Sequence, residues 1–297
     1  MFGKTRQGYY KLNKQRYKEA INDDLMLAVV RKIRENQKRL GGRKLLQIVR
    51  QKIPKESQVG RDEFYSFLRR HGLLVRRRRY KVVTTDSFHW LHKYPNLIRE
   101  LKPLRPNHIW VSDITYIKTG QGFVYLFLIT DAYSRKIIGW HLSDNLGSDN
   151  AILALYMAIS QLPANIKETI HHSDRGIQYC SSKYVKLLET HGINISMTEN
   201  GDPYENAIAE RVNGILKTEW LYDMHLHSFF QAKTAVTEII KIYNSQRPHS
   251  SLGMLTPNQA HSQTGELKRL WKSYRKIRKS QSIEDEVENS IINNLVN

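Results

Sequence analysis

The chain has 297 residues, a formal net charge of +19 at pH 7, and a single cysteine, Cys180. One thiol excludes intramolecular disulfides and a cysteine-rich zinc site, and it fits a reducing, cytoplasmic setting. Because the sequence contains no run of about eighteen apolar residues, we expect no membrane span and no membrane partner.

The positive charge is concentrated in the first third of the chain. Residues 1–105 hold 28 lysines and arginines against 9 aspartates and glutamates, whereas residues 106–297 hold 19 of each. A basic part joined to a neutral part suggests that the first binds DNA and the second carries the chemistry. The alternative is a basic surface that promotes solubility or binds anionic lipid.

Three short helices are predicted after a basic N-terminal segment, residues 1–21. Gly41-Gly42 and Pro54 would end the first two helices, and Gly72 would cap the third. Three helices with tight turns are typical of a helix-turn-helix, which we assign to residues 22–81. A small helical bundle with a charged exterior is the alternative. The helices are predicted at 23–38, 43–53 and 61–71.

Arginines supply the candidate DNA contacts of this region. Arg61, Arg69 and Arg70 lie on the third helix, which would approach the major groove. Four consecutive arginines follow and cannot share one buried face, so we expect them to contact phosphates or lie in a minor groove. These four are Arg76, Arg77, Arg78 and Arg79.

A proline-containing linker, residues 82–105, leads to a predicted α/β core at 106–262, and a basic then acidic tail follows at 263–297. The core alternates apolar runs and amphipathic segments in the order β-β-β-α-β-α-β-α, followed by one more helix. This order predicts a mixed sheet with helices on both faces. The strands are predicted at 108–117, 123–130, 136–142, 169–174 and 193–198, and the helices at 148–162, 181–191, 204–222 and 229–244.

Three acidic residues are the candidate catalytic groups. Asp113 lies inside the first apolar strand, Asp174 ends the fourth, and Glu210 lies on the helix that follows the fifth. Carboxylates in such segments are costly to bury unless a cation compensates them. Two divalent metal ions would do so and would support cleavage and transfer of phosphodiesters, with Asp113 bridging the ions.

The helix that carries Glu210 also has a polar face. Asn206, Glu210, Asn213 and Lys217 are spaced so that they share one side, while apolar residues cover the other. If that side faces the acids, Lys217 would contact a phosphate near the scissile bond, and Asn206 and Asn213 would lie beside the DNA. An ordinary solvated helix face is the alternative.

Other polar residues are weaker candidates. Asp131 and Asp202 lie in predicted turns and are expected to serve turn formation. His171 and His172 are adjacent in a strand and so point to opposite faces, which leaves one of them to orient Asp174 or touch substrate. His89 and His92 have helical spacing, but the lack of nearby cysteines argues against zinc.

Five segments together resemble the DDE transposases of bacterial insertion sequences, and most closely the second-frame (OrfB) product of the group encoded by two overlapping frames. The three acids of that family fall on Asp113, Asp174 and Glu210, and its basic residue seven positions later falls on Lys217. The segments are Pro106–Tyr116, Asp131–Trp140, His171–Tyr179, Asn206–Glu210 and Tyr243–Leu252.

The resemblance implies an RNase H-like fold, a retroviral-integrase-like core, and Mg²⁺ as two ions, with Mn²⁺ as a substitute. It further implies cleavage and strand transfer at the terminal inverted repeats of a transposon, on double-stranded DNA, by a dimer or larger homo-oligomer at the bacterial nucleoid. In this family an upstream frame supplies a leucine zipper. Residues 1–60 contain no heptad repeat, so we expect the chain to be the catalytic portion, with an upstream-frame protein as partner.

Two other functions remain open from the sequence. A metal-dependent nuclease of similar fold would use the same acids without strand transfer. A non-catalytic DNA-binding regulator derived from a transposase would keep the basic region and lose the activity.

Overall fold

The computed structural model describes residues 6–75, 90–166, 168–199 and 206–268. Its elements follow the predicted order, with three helices before the first strand. The helices are α1 (Arg6–Asn36), α2 (Gly42–Lys52), α3 (Arg61–Arg70), α4 (Ser148–Ile159), α5 (Ile177–Cys180), α6 (Ser182–Thr190), α7 (Ala207–Glu219), α8 (Phe229–Gln246) and α9 (Pro257–His261). The strands are β1 (Ile109–Thr119), β2 (Gly122–Asp131), β3 (Ile137–Ser143), β4 (Ile170–Ser173) and β5 (Asn194–Met197).

The five strands form one mixed sheet in the order β3-β2-β1-β4-β5. The first three strands make an antiparallel meander, while β4 pairs in parallel with both β1 and β5. Strand β1 therefore lies at the centre of the sheet, beside β4. The predicted mixed sheet is confirmed.

Helices cover both faces of the sheet, as predicted. Along β2, Val124, Leu126 and Leu128 pack in the core that α7 and α8 close, whereas Phe127 and Ile129 pack against the α4 and α6 side. Alternate residues of one strand thus enter two different cores, which explains why this strand is apolar throughout.

Gly139 sets how closely α4 approaches β3. A Cβ atom at this position would lie 2.3 Å from the carbonyl oxygen of Ala154 and 3.0 Å from the Cβ of Ala158. The backbone of the helix leaves no room for a side chain. Glycine in the middle of this strand is therefore required by packing.

The N-terminal helices form a helical module, residues 6–75, with a core of its own that includes Leu45, Phe64 and Phe67. It contacts the rest of the chain beyond the end of α7: the indole Nε1 of Trp220 donates to the carbonyl oxygen of Asn36 at 2.7 Å. The all-α module is confirmed, whereas its helix-turn-helix role and the domain limits stay predictions.

Several boundaries differ from those predicted. Helix α1 begins at Arg6 and not near residue 23, because its first half is polar and gives no apolar period although Lys, Gln and Arg favour helices. Gly41 caps the start of α2 and does not end α1. Helix α4 is capped by Gly147 and not by Ser148, and α7 ends at Glu219, before the predicted end at residue 222.

Some predictions concern residues outside the described ranges. They are the contacts of Arg76, Arg77, Arg78 and Arg79, the roles of His89 and Asp202, and the structure of residues 82–89 and 269–297. Among the helices that the structure describes, none is long and apolar enough to cross a membrane.

Candidate active site

Asp113 lies in the middle of β1 and faces α7. Residues alternate along the strand, and Val111 and Ile117 share the face of Asp113, where they pack near α7. The half-buried carboxylate accepts hydrogen bonds from the backbone N–H of Ile114 at 2.9 Å and from Nδ2 of Asn213 at 2.6 Å. The central strand therefore presents this acid in a fixed orientation.

Asp174 follows β4 directly and lies beside Asp113. In the parallel register Val111 is opposite His172, and two more residues along each strand bring the acids level. The Oδ1 atom of Asp174 accepts from the backbone N–H of Gly176 at 3.0 Å. The pKa of Asp113 is raised to about 7, mainly by burial and in second place by the negative charge of Asp174. The two carboxylates are thus electrostatically coupled.

Glu210 lies on the first turn of α7, with its side chain exposed. Partial burial raises its pKa, and its charge contributes, as the weakest of the causes, to the raised pKa of Asp113. Within the ranges that the structure describes, no three Asp, Glu, His or Cys side chains come close enough to hold one metal ion. The structure brings Asp113 and Asp174 together and leaves Glu210 turned toward solvent.

Two asparagines of the predicted polar face attach α7 to β1. Asn206 Nδ2 donates to the carbonyl oxygen of Ser112 at 3.1 Å, and Asn213 donates to Asp113. Both asparagines are buried, so the alternative of a solvated face is wrong for them. Both amides are engaged within the protein, and the predicted DNA contact of these two residues stays a prediction.

Lys217 continues the same face toward the end of α7. Its Nζ lies 4.1 Å from the centroid of the Tyr116 ring, which is a cation–π contact. Burial lowers the pKa of Lys217, and the nearby Asp113 carboxylate opposes that effect. The lysine is therefore held near Asp113.

Two buried polar atoms near Asp113 have no hydrogen-bond partner among the described residues: the Oδ1 atoms of Asn206 and Asn213. On the other face of β1, Ser112 donates to Leu128 O at 3.1 Å and pairs with Tyr179 OH at 3.0 Å. Sequence reasoning did not identify these supporting contacts, although the i, i+7 spacing of the two asparagines was visible.

The other candidates serve the fold. Asp131 is fully buried and accepts hydrogen bonds from Asn107 N, Ser134 N and Ser134 Oγ, each at 2.7 Å, as expected of a turn former. His171 pairs with Tyr184 OH at 2.9 Å and His172 with Ser196 Oγ at 2.8 Å. Both histidines are buried, so neither is exposed to touch a substrate.

The three arginines of α3 are exposed to solvent, and two of them form ion pairs with different aspartates. Arg61 pairs with its neighbour Asp62 at 2.9 Å, while Arg70 pairs at 2.7 Å with Asp23 of α1 and so braces the helical module. Arg69 is exposed in the last turn. Contact of these three residues with DNA stays a prediction.

A buried ion pair at the end of α7 was not foreseen. Arg247, from the segment after α8, donates to both carboxylate oxygens of Glu219 at 2.8 and 2.6 Å. Lys44 of α2 approaches the same carboxylate at 3.7 Å, and His249 contacts Arg247 at 2.9 Å. The motif containing Arg247 and His249 was noticed in the sequence, but its partner on α7 was not.

Comparison with known proteins identifies the family. Two integrase core domain models match residues 103–203 and 191–257, which together include all three acids. The transposase for insertion sequence element IS629 of Shigella sonnei is 31% identical over 260 residues, covering 85% of this chain and 86% of that protein. This chain belongs to the IS3-type DDE transposases.

Further relatives agree with this assignment. Transposase InsF for insertion sequence IS3A of Escherichia coli K12 is 36% identical over 196 residues, which cover 65% of this chain and 67% of that protein. The 31 kDa protein of insertion element IS600 from Shigella sonnei is 36% identical and covers 67% of this chain and 74% of that protein. The transposase is therefore a polynucleotidyl transferase that acts on DNA, as the resemblance implied.

Viral integrases appear among the similar structures. The catalytic core domain of HTLV-2 integrase in complex with magnesium has a TM-score of 0.44 and 22% identity, and the match covers 54% of this chain and 99% of that one. A chain of the simian T-cell lymphotropic virus intasome has a TM-score of 0.48 and 20% identity, covering 78% and 76% of the two chains. The fold class itself rests on the matched integrase core domain models and on the mixed five-stranded sheet that follows the helical module.

Proposed function

We propose that Asp113, Asp174 and Glu210 form the catalytic centre at which this transposase cuts the ends of its element and joins them to target DNA. The observation that carries the proposal is the coupled pair of Asp113 and Asp174. Strand β1 and the end of the neighbouring β4 hold the two acids side by side, and burial, followed by the charge of Asp174, raises the pKa of Asp113 to about 7. Such a pair is unfavourable for folding and favours the binding of a cation.

The residues present fit divalent metal ions. The donors are carboxylate oxygens, which Mg²⁺ and Mn²⁺ prefer, and the unpaired Oδ1 of Asn213 adds a buried oxygen beside Asp113. Asp113 and Asp174 would hold the ions, and rotation of the exposed Glu210 side chain would bring in the third carboxylate. When bound, two ions supply an activated attacking oxygen and stabilise the leaving one.

The chain's own residues would orient the reacting groups. Asn213 holds the Asp113 carboxylate in place through its 2.6 Å hydrogen bond. Lys217 carries its positive charge near Asp113 and would contact the phosphate beside the scissile bond. The arginines of the N-terminal region would bind the flanking duplex, with the nucleoid as the site of action. Because two ends must be held together, we also propose a dimer or larger assembly.

A strand-transfer assay tests this function. The substrate is a duplex that ends in the terminal inverted repeat of the element with a pre-cut 3′ hydroxyl, incubated with a target duplex and Mg²⁺. We expect joined products from the unmodified chain and no joining from Asp174→Asn. Hydrolysis without joining would show a nuclease, and DNA binding with neither reaction would show a regulator.

A further inference from the structure

A cavity with basic walls lies at the junction of the helical module and the catalytic core. This cavity of about 320 Å³ opens between α2, α7 and the segment after α8. Its charged walls come from four parts of the chain: Lys44 from α2, Arg135 from the turn after β2, Arg211 from α7, and Arg247 with His249 from beyond α8. None of the described residues that line it is acidic.

The positive charge around this cavity is only partly compensated. The Glu219 carboxylate does not line the cavity, and it accepts hydrogen bonds from the Nε and Nη2 atoms of Arg247. The Nζ atom of Lys44 lies 3.7 Å from the Oε1 atom of Glu219. One carboxylate faces the charges of Lys44, Arg211 and Arg247. The excess is sufficient to bind an anion that enters from solvent.

The titration of the lining groups agrees with this geometry. Burial, and then the positive charge of Arg247, lower the pKa of Lys44 to about 8, and the Glu219 carboxylate opposes the change. Burial is the largest cause that lowers the pKa of His249. The positive charges of neighbouring residues lower it further, in the order Arg247, Lys44, Arg135 and Arg211. The cations repel one another across the cavity, and an anion would relieve that repulsion.

We propose that the cavity binds one phosphodiester of the DNA backbone, held jointly by Lys44 of the helical module and Arg211 of α7. Arg247 is already engaged in two hydrogen bonds with Glu219, so its part is to shape the cavity. A phosphate offers acceptor oxygens to both an ammonium and a guanidinium group. The proposal rests on the proposed function in taking DNA as the substrate, but it does not involve the three acids.

The location gives the contact a consequence for catalysis. Arg211 follows Glu210 in the sequence, and a rotation of about 100° per residue directs the two side chains to different sides of α7. A phosphate held between Lys44 and Arg211 would therefore fix the helical module against the helix that carries the third acid. DNA bound by the first part of the chain would thus help to orient the second.

The test is the salt dependence of DNA binding by the full chain, measured by fluorescence anisotropy in a metal-free buffer. We expect the slope of log K against log salt to fall by about 0.9 for Lys44→Gln and for Arg211→Gln, with affinity reduced about tenfold. The double variant should lose the same slope once and not twice, because both cations hold one phosphate. Arg211→Lys should retain the slope.

The control is Lys241→Gln, a change at an exposed position of α8 away from the cavity, which should leave the slope unchanged. Thermal unfolding of each variant checks that it is folded. Unchanged slopes for both Lys44→Gln and Arg211→Gln would overturn the proposal, as would a double variant that loses twice the slope.

A second arm separates DNA from a free anion. The Tm is measured with inorganic phosphate at matched ionic strength. A site for a free anion would be indicated if phosphate raised the Tm of the unmodified chain and not that of Arg211→Gln, while both chains had the same salt slope of DNA binding. That result too would overturn the assignment to DNA. Neither arm needs catalysis, so failure here is distinct from failure of the strand-transfer assay.

Discussion

The Nδ2 atom of Asn213 donates a 2.6 Å hydrogen bond to the Oδ2 atom of Asp113. This bond joins α7 to the central strand at the carboxylate that the catalytic proposal needs most. It favours the charged form of Asp113, against the effects of burial and of Asp174. Asn213 is thus a positioning residue for the acid.

The first prediction concerns this bond. In Asn213→Ala the pKa of Asp113 should rise further, because a hydrogen bond to its charged form is lost. Cleavage at neutral pH and limiting Mg²⁺ should fall about 10- to 100-fold, the range expected for a hydrogen bond to a charged group. A pH–rate profile should show partial recovery above neutrality.

Asn206→Ala is the matched control, since Asn206 binds the backbone of Ser112 and no carboxylate. Its pH–rate profile should keep the position of the unmodified chain. If both variants lost activity equally at every pH, Asn213 would have a merely structural role.

The second prediction concerns stability against pH. Because the pKa of Asp113 is raised from 3.8 to about 7 in the folded chain, the folded state binds more protons than the unfolded state between these values. The free energy of unfolding should therefore lose the contribution of this group as pH rises through that window, and Asp113→Asn should remove the loss. Discounted for residual solvent exposure, the gain of the variant above neutrality is on the order of 2 kcal/mol.

Urea unfolding in metal-free buffer at pH 5 and pH 8, values chosen as roughly within and above the window, measures this gain. A variant no more stable than the unmodified chain at the higher pH would contradict the raised pKa. The exposed Asp149→Asn, on α4, serves as the control for removal of a carboxylate.

Much of this site could be predicted from the sequence. Asp113 interrupts an apolar strand, and Asp174 ends a short one, so local patterns were sufficient to select both and to expect adjoining strands. The bond between Asn213 and Asp113 could not be predicted, because it depends on how α7 is rotated against β1, which tertiary packing decides.

The third prediction concerns the buried ion pair. Glu219→Gln would leave the guanidinium of Arg247, which is 1% exposed, without its countercharge. Removing one partner of a buried pair typically costs about 3–5 kcal/mol, and we expect that loss in the free energy of unfolding. Glu238→Gln, at an exposed position of α8, should change it by less than about 0.5 kcal/mol. Equal stability of the two variants would contradict the role given to the pair.

The fourth prediction compares two glycines. Gly139→Ala would place a Cβ 2.3 Å from Ala154 O and should destabilise the fold by about 3 kcal/mol or prevent folding. Gly214→Ala, in α7, meets no atom within 4 Å and should stabilise it by about 0.5–1 kcal/mol. Thermal unfolding gives both values, and a tolerated Gly139→Ala would show that α4 does not approach β3 so closely.

The ion pair and the length of α1 show where sequence patterns give no signal. Lys44 of α2 approaches the Glu219 carboxylate of that pair at 3.7 Å although most of the chain separates the two residues, and neither has a local pattern that selects the other. The first half of α1 is rich in polar residues that favour a helix without forming an apolar face, so its helical state was not visible as periodicity.

The central claim is that the three acids act together as a metal-dependent catalytic centre. Its most direct test is joining of a pre-cut transposon end under single-turnover conditions with Mg²⁺, for the unmodified chain and for Asp113→Asn, Asp174→Asn and Glu210→Gln, with DNA affinity measured in parallel. Each variant should join at least about a thousandfold more slowly while binding DNA with nearly unchanged affinity, because a lost carboxylate removes metal ions and not the DNA-binding surface. Joining at the unmodified rate by any one of the three variants would contradict the account.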